Sequence, residues 1–236
     1  MVIITGTGRS GTKTLARLLG GSHEYRVHYL LDKYFLDADP HASPFDTMEK
    51  RLMAVLDLHQ GIDRARFIDS SNLYIHFIDA LHKLYPSARF ILSVRNGKDF
   101  ARSAFSRGWH RHVSFGSVPP REDPYFERWP EMTPLERVAW IWTFRNRKAL
   151  EGPAAVPRGQ QLVLRIEDIG REETLDNLES FAAVKITDRN LASRKINANP
   201  VLKLPPRQEW TEPMNRMFDA IAGEMMEYFG YSRNRL

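Results

Sequence analysis

A glycine-rich turn near the start of the chain limits most strongly what the chain can fold into. Residues 2–5 are Val-Ile-Ile-Thr, three glycines follow between Gly6 and Gly11, and a helix-like segment starts near Thr14. Glycines let the backbone approach an anion closely, and the N-terminus of the following helix favours negative charge. We predict a phosphate-binding strand, turn and helix, whose contact residues are Gly8, Arg9, Ser10, Gly11, Thr12, Lys13 and Thr14.

The spacing of this turn differs from that of the ATP-binding loop G-x-x-x-x-G-K-[ST]. In that loop the lysine directly follows the second glycine and reaches the terminal phosphates. Here Thr12 stands between Gly11 and Lys13. The sequence therefore predicts a relative of the P-loop rather than a standard ATPase loop.

The composition narrows the classes of partner. The chain has 236 residues, no cysteine and a formal net charge of +5. The absence of cysteine excludes disulfides, cysteine catalysis and thiolate metal sites. No apolar run is long enough for a membrane span, and the first strand follows Met1 directly, so we expect a cytoplasmic protein. The positive charge favours an anionic partner, and since no nucleic-acid motif is present, we expect a small anion rather than nucleic acid.

Predicted strands alternate with predicted helices along the chain. Apolar runs predict strands at 2–5, 25–29, 67–69, 89–94 and 161–165, and helical periodicity predicts helices between them, including 45–59, 133–150 and 212–229. This order predicts one domain, residues 1–236, with a three-layer α/β/α fold around a central parallel sheet, like that of the P-loop NTPases. Ligands of such sheets bind beyond the carboxyl ends of the strands. The turn at 6–14, the polar segment 69–71 and Arg95 should therefore meet in one crevice.

Residues 108–131 break the alternation. They contain four prolines and five large aromatic residues. A long irregular segment inside a compact domain is often functional, so we predict a lid or a wall of the acceptor site. Its aromatic side chains are Trp109, Phe115, Tyr125, Phe126 and Trp129.

A second candidate phosphate contact lies at the end of the strand 89–94. Arg95 directly follows this strand, and Ser103 lies eight residues later in the next predicted helix. A guanidinium and a hydroxyl in this arrangement can hold one phosphate between them.

With both motifs in view, the sequence resembles the sulfotransferases that use 3′-phosphoadenosine 5′-phosphosulfate (PAPS). GTGRSGTKTL at the start is similar to their 5′-phosphosulfate loop, and RFILSVRNGKDFARSAF is similar to their 3′-phosphate motif. The segments LVLRIEDI and SRKINANP also resemble parts of the family. The resemblance implies PAPS as donor, no metal, and 3′-phosphate contacts from Arg95, Ser103, Arg194 and Lys195.

The resemblance also implies the chemistry, with two departures. Arg9 stands where the cytosolic members have lysine, and would stabilise the leaving phosphate. The catalytic histidine that those members carry after the third strand is replaced here by the segment 69–71, Asp-Ser-Ser. For the base we predict His28 first and Asp69 second; His23, His110 and His112 remain open. The acceptor would be a hydroxyl or an amine of a small molecule.

Two other functions fit parts of the pattern. A P-loop kinase for a small molecule would bind ATP with Mg²⁺, but the position of Lys13 argues against it. A non-catalytic nucleotide- or nucleic-acid-binding module would use the basic crevice without turnover, and its binding would weaken with salt.

Overall fold

The centre of the molecule is a parallel β-sheet. The computed structural model describes residues 1–35, 37–194 and 202–231, except the side chains of His28, Tyr29, Leu31 and Asp32. Within these ranges the sheet has five strands in the order β2-β3-β1-β4-β5. The strands are β1 (Val2–Gly6), β2 (Ser22–His23), β3 (Ile68–Ser70), β4 (Arg89–Val94) and β5 (Gln161–Arg165).

Helices connect the strands and close the chain. They are α1 (Thr12–Leu18), α2 (Val27–Tyr34), α3 (Met48–Leu58), α4 (Ile78–Leu84), α5 (Gly97–Ser106), α6 (Pro134–Glu151), α7 (Glu172–Ala182) and α8 (Glu212–Tyr228). The longest of them, α6, starts with a capping box in which Thr133 and Glu136 satisfy each other's backbone N–H groups. Within the described ranges, none of the helices combines the length and the apolar character that crossing a membrane requires.

Side chains alternate across the sheet and bury both of its faces. On one face, Val2, Ile4 and Ile91 pack against α1 and α7. On the other face, Ile3 and Phe90 pack against α3 and α4, while strand β4 also packs against α5, α6 and α8. A sheet that is covered on both faces forms the middle layer of three. The predicted three-layer α/β/α fold with a parallel sheet is therefore confirmed.

The predicted strand at 25–29 is wrong. The edge strand is β2, only two residues long, and the backbone then turns through Glu24 (φ 59°) and Arg26 (φ 54°) before α2 begins at Val27. Two left-handed residues cannot continue an extended strand. The Tyr and Val of this segment have high strand propensity, but the tertiary turn overrides it.

The other predicted elements agree closely with the structure. Strands β4 and β5 have the predicted bounds, and the predicted helices 133–150 and 212–229 correspond to α6 and α8. The helix predicted between the strands 67–69 and 89–94 is divided into a 3₁₀ turn, Asn72–His76, and α4. Residues 108–131 are irregular as predicted, with two short 3₁₀ turns at Trp109–Arg111 and Trp129–Glu131.

Candidate functional site

A cleft of about 790 Å³ lies at the carboxyl ends of the strands. It is lined by the turn after β1, by residues that follow β3, β4 and β5, and by Trp109 of the irregular segment. Its described lining carries more cationic than acidic side chains, namely Arg9, Lys13, Arg95, Arg102 and Arg194 against Glu24, Asp99 and Glu167. The excess of positive charge suits an anionic ligand.

Three residues with positive φ shape the turn between β1 and α1. Gly8 (φ 76°), Arg9 (φ 54°) and Gly11 (φ 83°) all have left-handed backbone conformations. Gly11 directly precedes α1, and a Cβ added there would lie 2.3 Å from side-chain atoms of Ile166. Glycine is required at Gly11 both for its φ and for this close approach. Because Arg9 is not glycine, its left-handed backbone conformation is strained, and such strain is typical of functional turns.

The side chains of the turn and of the region after β4 meet inside the cleft. The Nε of Arg9 donates to the Oγ of Ser103 at 3.0 Å, and the Nη1 of Arg95 donates to the carbonyl oxygen of Arg9 at 3.0 Å. Burial and the nearby charges of Arg107 and Arg95 lower the pKa of Arg9 to about 10, so Arg9 stays cationic at neutral pH. Cations held this close repel one another, and an anion between them relieves the repulsion.

Most of the predicted phosphate contacts line this cleft. The lining includes Gly8, Arg9, Gly11, Thr12, Lys13, Thr14, Arg95, Ser103 and Arg194. Ser10 does not line it, since its hydroxyl is buried beneath the turn, 2.5 Å from where a Cβ on Gly6 would lie. Lys195 lies outside the described residues.

Of the two residues predicted first and second as base, Asp69 lies outside the cleft and the side chain of His28 is not described. His28 belongs to α2 rather than to a strand, and its side chain is not among those described. Asp69 is fully buried and does not line the cleft. Its carboxylate accepts from the hydroxyl of Tyr74 at 2.7 Å and from the backbone N–H of Tyr25 at 3.3 Å. Burial raises the pKa of Asp69 to about 6.

His23 does line the cleft. It ends β2, and its Nδ1 lies 2.7 Å from the Oγ of Ser70 on the neighbouring strand. Its Nε2 lies 3.9 Å from a carboxylate oxygen of Glu24. Burial, the largest influence, lowers the pKa of His23 below its ordinary value of 6.5, so the imidazole is neutral at pH 7. A neutral imidazole beside the turn can accept a proton.

Arg145 neighbours the site, although the sequence predicted no functional role for it. It projects from α6 and reaches the carbonyl oxygen of Thr7, directly before Gly8. The signal was present in the sequence, because an arginine shares the apolar stripe of α6 with Leu135, Val138 and Trp142. A charge on a buried face needs a specific reason.

Comparisons with known proteins identify the family. A sequence profile described as "Sulfotransferase family" matches residues 22–188, more than half of the chain. The chain belongs to the sulfotransferase family. The matched range starts at β2 and so leaves out the turn at 6–14. No curated protein sequence matches the chain at a significant level.

Solved sulfotransferase structures share the fold. The sulfotransferase domain from the curacin biosynthetic pathway has a TM-score of 0.58 and 16% identity, with 98% of each chain covered. A sulfotransferase from Alicyclobacillus acidocaldarius has a TM-score of 0.53 and 17% identity, with 96% of this chain and 92% of the other covered. At these identities the likeness concerns the fold alone.

Proposed function

We propose that this sulfotransferase-family protein moves a sulfuryl group from PAPS to a hydroxyl or amine of a small-molecule acceptor. The proposal is carried by the observation that two candidate anion sites lie in one cleft, joined by the contacts of Arg9 with Ser103 and of Arg95 with the Arg9 carbonyl. A donor with phosphates at both ends of a nucleoside needs two such sites. ATP carries its three phosphates in one chain at the 5′ end, so it does not need a second anion site.

The two halves of the cleft have different roles in this proposal. The turn at 6–14, with Lys13 and the start of α1, takes the 5′-phosphosulfate, because helix N-termini and backbone N–H groups favour anions. Arg95 and Ser103 take the 3′-phosphate, joined by Arg194 and by Lys195. The sheet order puts the ends of β3 and β2 on the other side of β1, and this half takes the acceptor.

The transfer itself needs positioning and charge stabilisation. The acceptor oxygen or nitrogen bonds to sulfur, and the bond between sulfur and the bridging oxygen of the 5′-phosphate breaks. The electron pair of that bond goes to the leaving phosphate, and the acceptor's proton goes to a base. Arg9 stabilises the negative charge that develops on the leaving phosphate, as preorganised donors do in related group transfers.

Among the candidate bases whose side chains the structure describes, the geometry favours His23 over Asp69. It lines the acceptor half of the cleft, its pKa lies below the ordinary value, and Ser70 fixes the orientation of its ring. In Asp69, by contrast, both the burial and the hydrogen bonds to Tyr74 and Tyr25 fit a role in holding the turn at 24–26.

The base assignment is tested with His23→Gln and a matched control. We expect His23→Gln to lose turnover with every acceptor while its affinity for 3′-phosphoadenosine 5′-phosphate stays within about twofold of wild type. His82→Gln changes a histidine of α4 outside the cleft and should keep full turnover. Full turnover in His23→Gln would return the role to Asp69 or His28.

The donor assignment is tested by ligand-induced thermal shifts. Wild type, Arg95→Ala and Arg165→Ala are each melted with 3′-phosphoadenosine 5′-phosphate, with ATP and Mg²⁺, or with an oligonucleotide. Arg165 ends the neighbouring strand β5, pairs with Asp168 and does not line the cleft. We expect the bisphosphate to stabilise wild type and Arg165→Ala but not Arg95→Ala. A shift with ATP and Mg²⁺ and none with the bisphosphate would indicate a kinase; a salt-sensitive shift with the oligonucleotide alone would indicate a nucleic-acid module.

A further inference from the structure

Arg145 makes an unusual set of contacts beneath the turn. Its Nη1 donates to the carbonyl oxygen of Thr7 at 3.0 Å, and its Nε donates to that of Gly116 at 3.0 Å. Its Nη2 donates to the Oγ of Ser117 at 3.2 Å. The indole ring of Trp109 lies over the guanidinium, with 4.8 Å between the ring centroid and Cζ. One side chain thus joins the turn to two parts of the irregular segment.

All of these partners are uncharged. Arg145 is 9% exposed, and among the described residues no carboxylate forms an ion pair with its guanidinium. Burial lowers its pKa to about 10, which leaves the side chain charged at neutral pH. A buried charge without a counter-ion is costly, and an apolar residue on this helix face would avoid the cost. A role of Arg145 at the anion site would explain why this buried position carries a charged side chain.

The contact with Thr7 bears directly on the turn. A carbonyl oxygen repels an anion, and a carbonyl that accepts from a guanidinium is both oriented and partly neutralised by it. Arg145 does this for Thr7, and Arg95 does it for Arg9. Arg9 adopts a left-handed backbone conformation, which in a residue other than glycine persists only where surrounding contacts enforce it.

The contact of Arg145 with Trp109 also positions a side chain that lines the cleft. The Trp109 ring packs on Gly8 so closely that a Cβ added to Gly8 would lie 2.9 Å from its Cη2 atom. We propose that Arg145 is a positioning residue of the donor site, which fixes the Thr7 carbonyl and the Trp109 ring and so sets the shape of the anion-binding turn. This inference rests on the proposed function, since it takes the donor to bind at that turn.

Arg137 provides a matched control on the same helix. Its Nη2 donates to the carbonyl oxygens of Trp129 and Pro130 at 3.1 and 3.0 Å, and its guanidinium lies 5.3 Å from the centroid of the Trp129 ring. Arg137 thus shares with Arg145 two carbonyl acceptors and one indole, although Arg145 also donates to Ser117, and these partners of Arg137 belong to the far end of the irregular segment. Arg137→Met therefore removes an anchor of that segment without touching the turn.

The experiment measures the dissociation constant of 3′-phosphoadenosine 5′-phosphate by calorimetry for wild type, Arg145→Met, Arg145→Lys and Arg137→Met, with melting temperatures for each. We expect Arg145→Met to weaken binding at least about tenfold, since it removes a charge-assisted hydrogen bond that shapes the site. The dissociation constant of Arg137→Met should stay within about twofold of the wild-type value, even if its melting temperature falls as much as that of Arg145→Met. The dissociation constant of Arg145→Lys should lie between those of wild type and Arg145→Met, because a single ammonium cannot hold the carbonyls of Thr7 and Gly116 together as the planar guanidinium does.

The outcomes separate this inference from the proposed function. If wild type binds no bisphosphate, the proposed function fails. If wild type binds it and folded Arg145→Met binds equally well, the positioning role is refuted. If Arg145→Met does not fold, the comparison passes to Arg145→Lys: affinity equal to wild type refutes the role, and a loss beyond that of Arg137→Met supports it.

Discussion

The substitution Gly11→Ala tests the geometry of the turn between β1 and α1 most directly. For a residue other than glycine, the left-handed conformation at φ 83° costs about 1–2 kcal/mol. The added Cβ would also lie 2.3 Å from the Cδ1 and Cγ1 atoms of Ile166, and such overpacking typically costs about 1–3 kcal/mol. We therefore expect Gly11→Ala to lower the free energy of unfolding by about 2–5 kcal/mol.

Gly20→Ala isolates the first of these two costs. Gly20 has φ 69°, and no atom lies within 4 Å of a Cβ added there. It should lose only about 1–2 kcal/mol. Both variants are unfolded with urea, and the free energies of unfolding are compared with that of wild type. Only Gly11→Ala should also weaken bisphosphate binding, because Gly11 lines the cleft and Gly20 does not.

A double-mutant cycle with Ile166→Ala decides whether the overlap is real. Ile166→Ala removes the atoms that the new Cβ would meet, so the double variant should recover about 1–3 kcal/mol relative to the sum of the single changes. The pair Gly20→Ala and Ile166→Ala should be additive. The reasoning is refuted if Gly11→Ala and Gly20→Ala cost the same and both cycles are additive.

Two further predictions concern the charges around the site. Arg9→Met should lower the single-turnover rate of sulfuryl transfer about 10²–10³-fold, the usual effect of removing one preorganised donor, and an unchanged rate would contradict the role of Arg9. Asp69 has a folded-state pKa of about 6, above its ordinary value of 3.8. The folded state therefore binds the extra proton between about pH 4 and 6, and the free energy of unfolding should fall by on the order of 2 kcal/mol as the pH rises through this range. Urea unfolding of Asp69→Asn from pH 4 to 7 should show no such fall, and an unchanged slope would assign it to other groups.

The fold was predictable because its signals are local. The apolar runs of β1 and β4 and the periodicity of α6 follow from residues adjacent in sequence. The failure at residues 25–29 has a physical reason. A two-residue edge strand carries no alternation to detect, and the turn through Glu24 and Arg26 is held by the buried carboxylate of Asp69, 44 residues away from Tyr25.

The sequence by itself determined the strand, glycine turn and helix at the start of the chain, the parallel sheet and the position of Arg95 at the end of β4, since each depends on residue type and short spacing. The tertiary structure alone decided which side chains reach the cleft. It buried the hydroxyl of Ser10 and brought His23 from the edge strand to the cleft. It also placed the side chain of Arg145 against the carbonyl of Thr7, 138 residues away in the sequence. Such contacts join segments far apart in the chain, and they form only when the strands align and the helices pack on them.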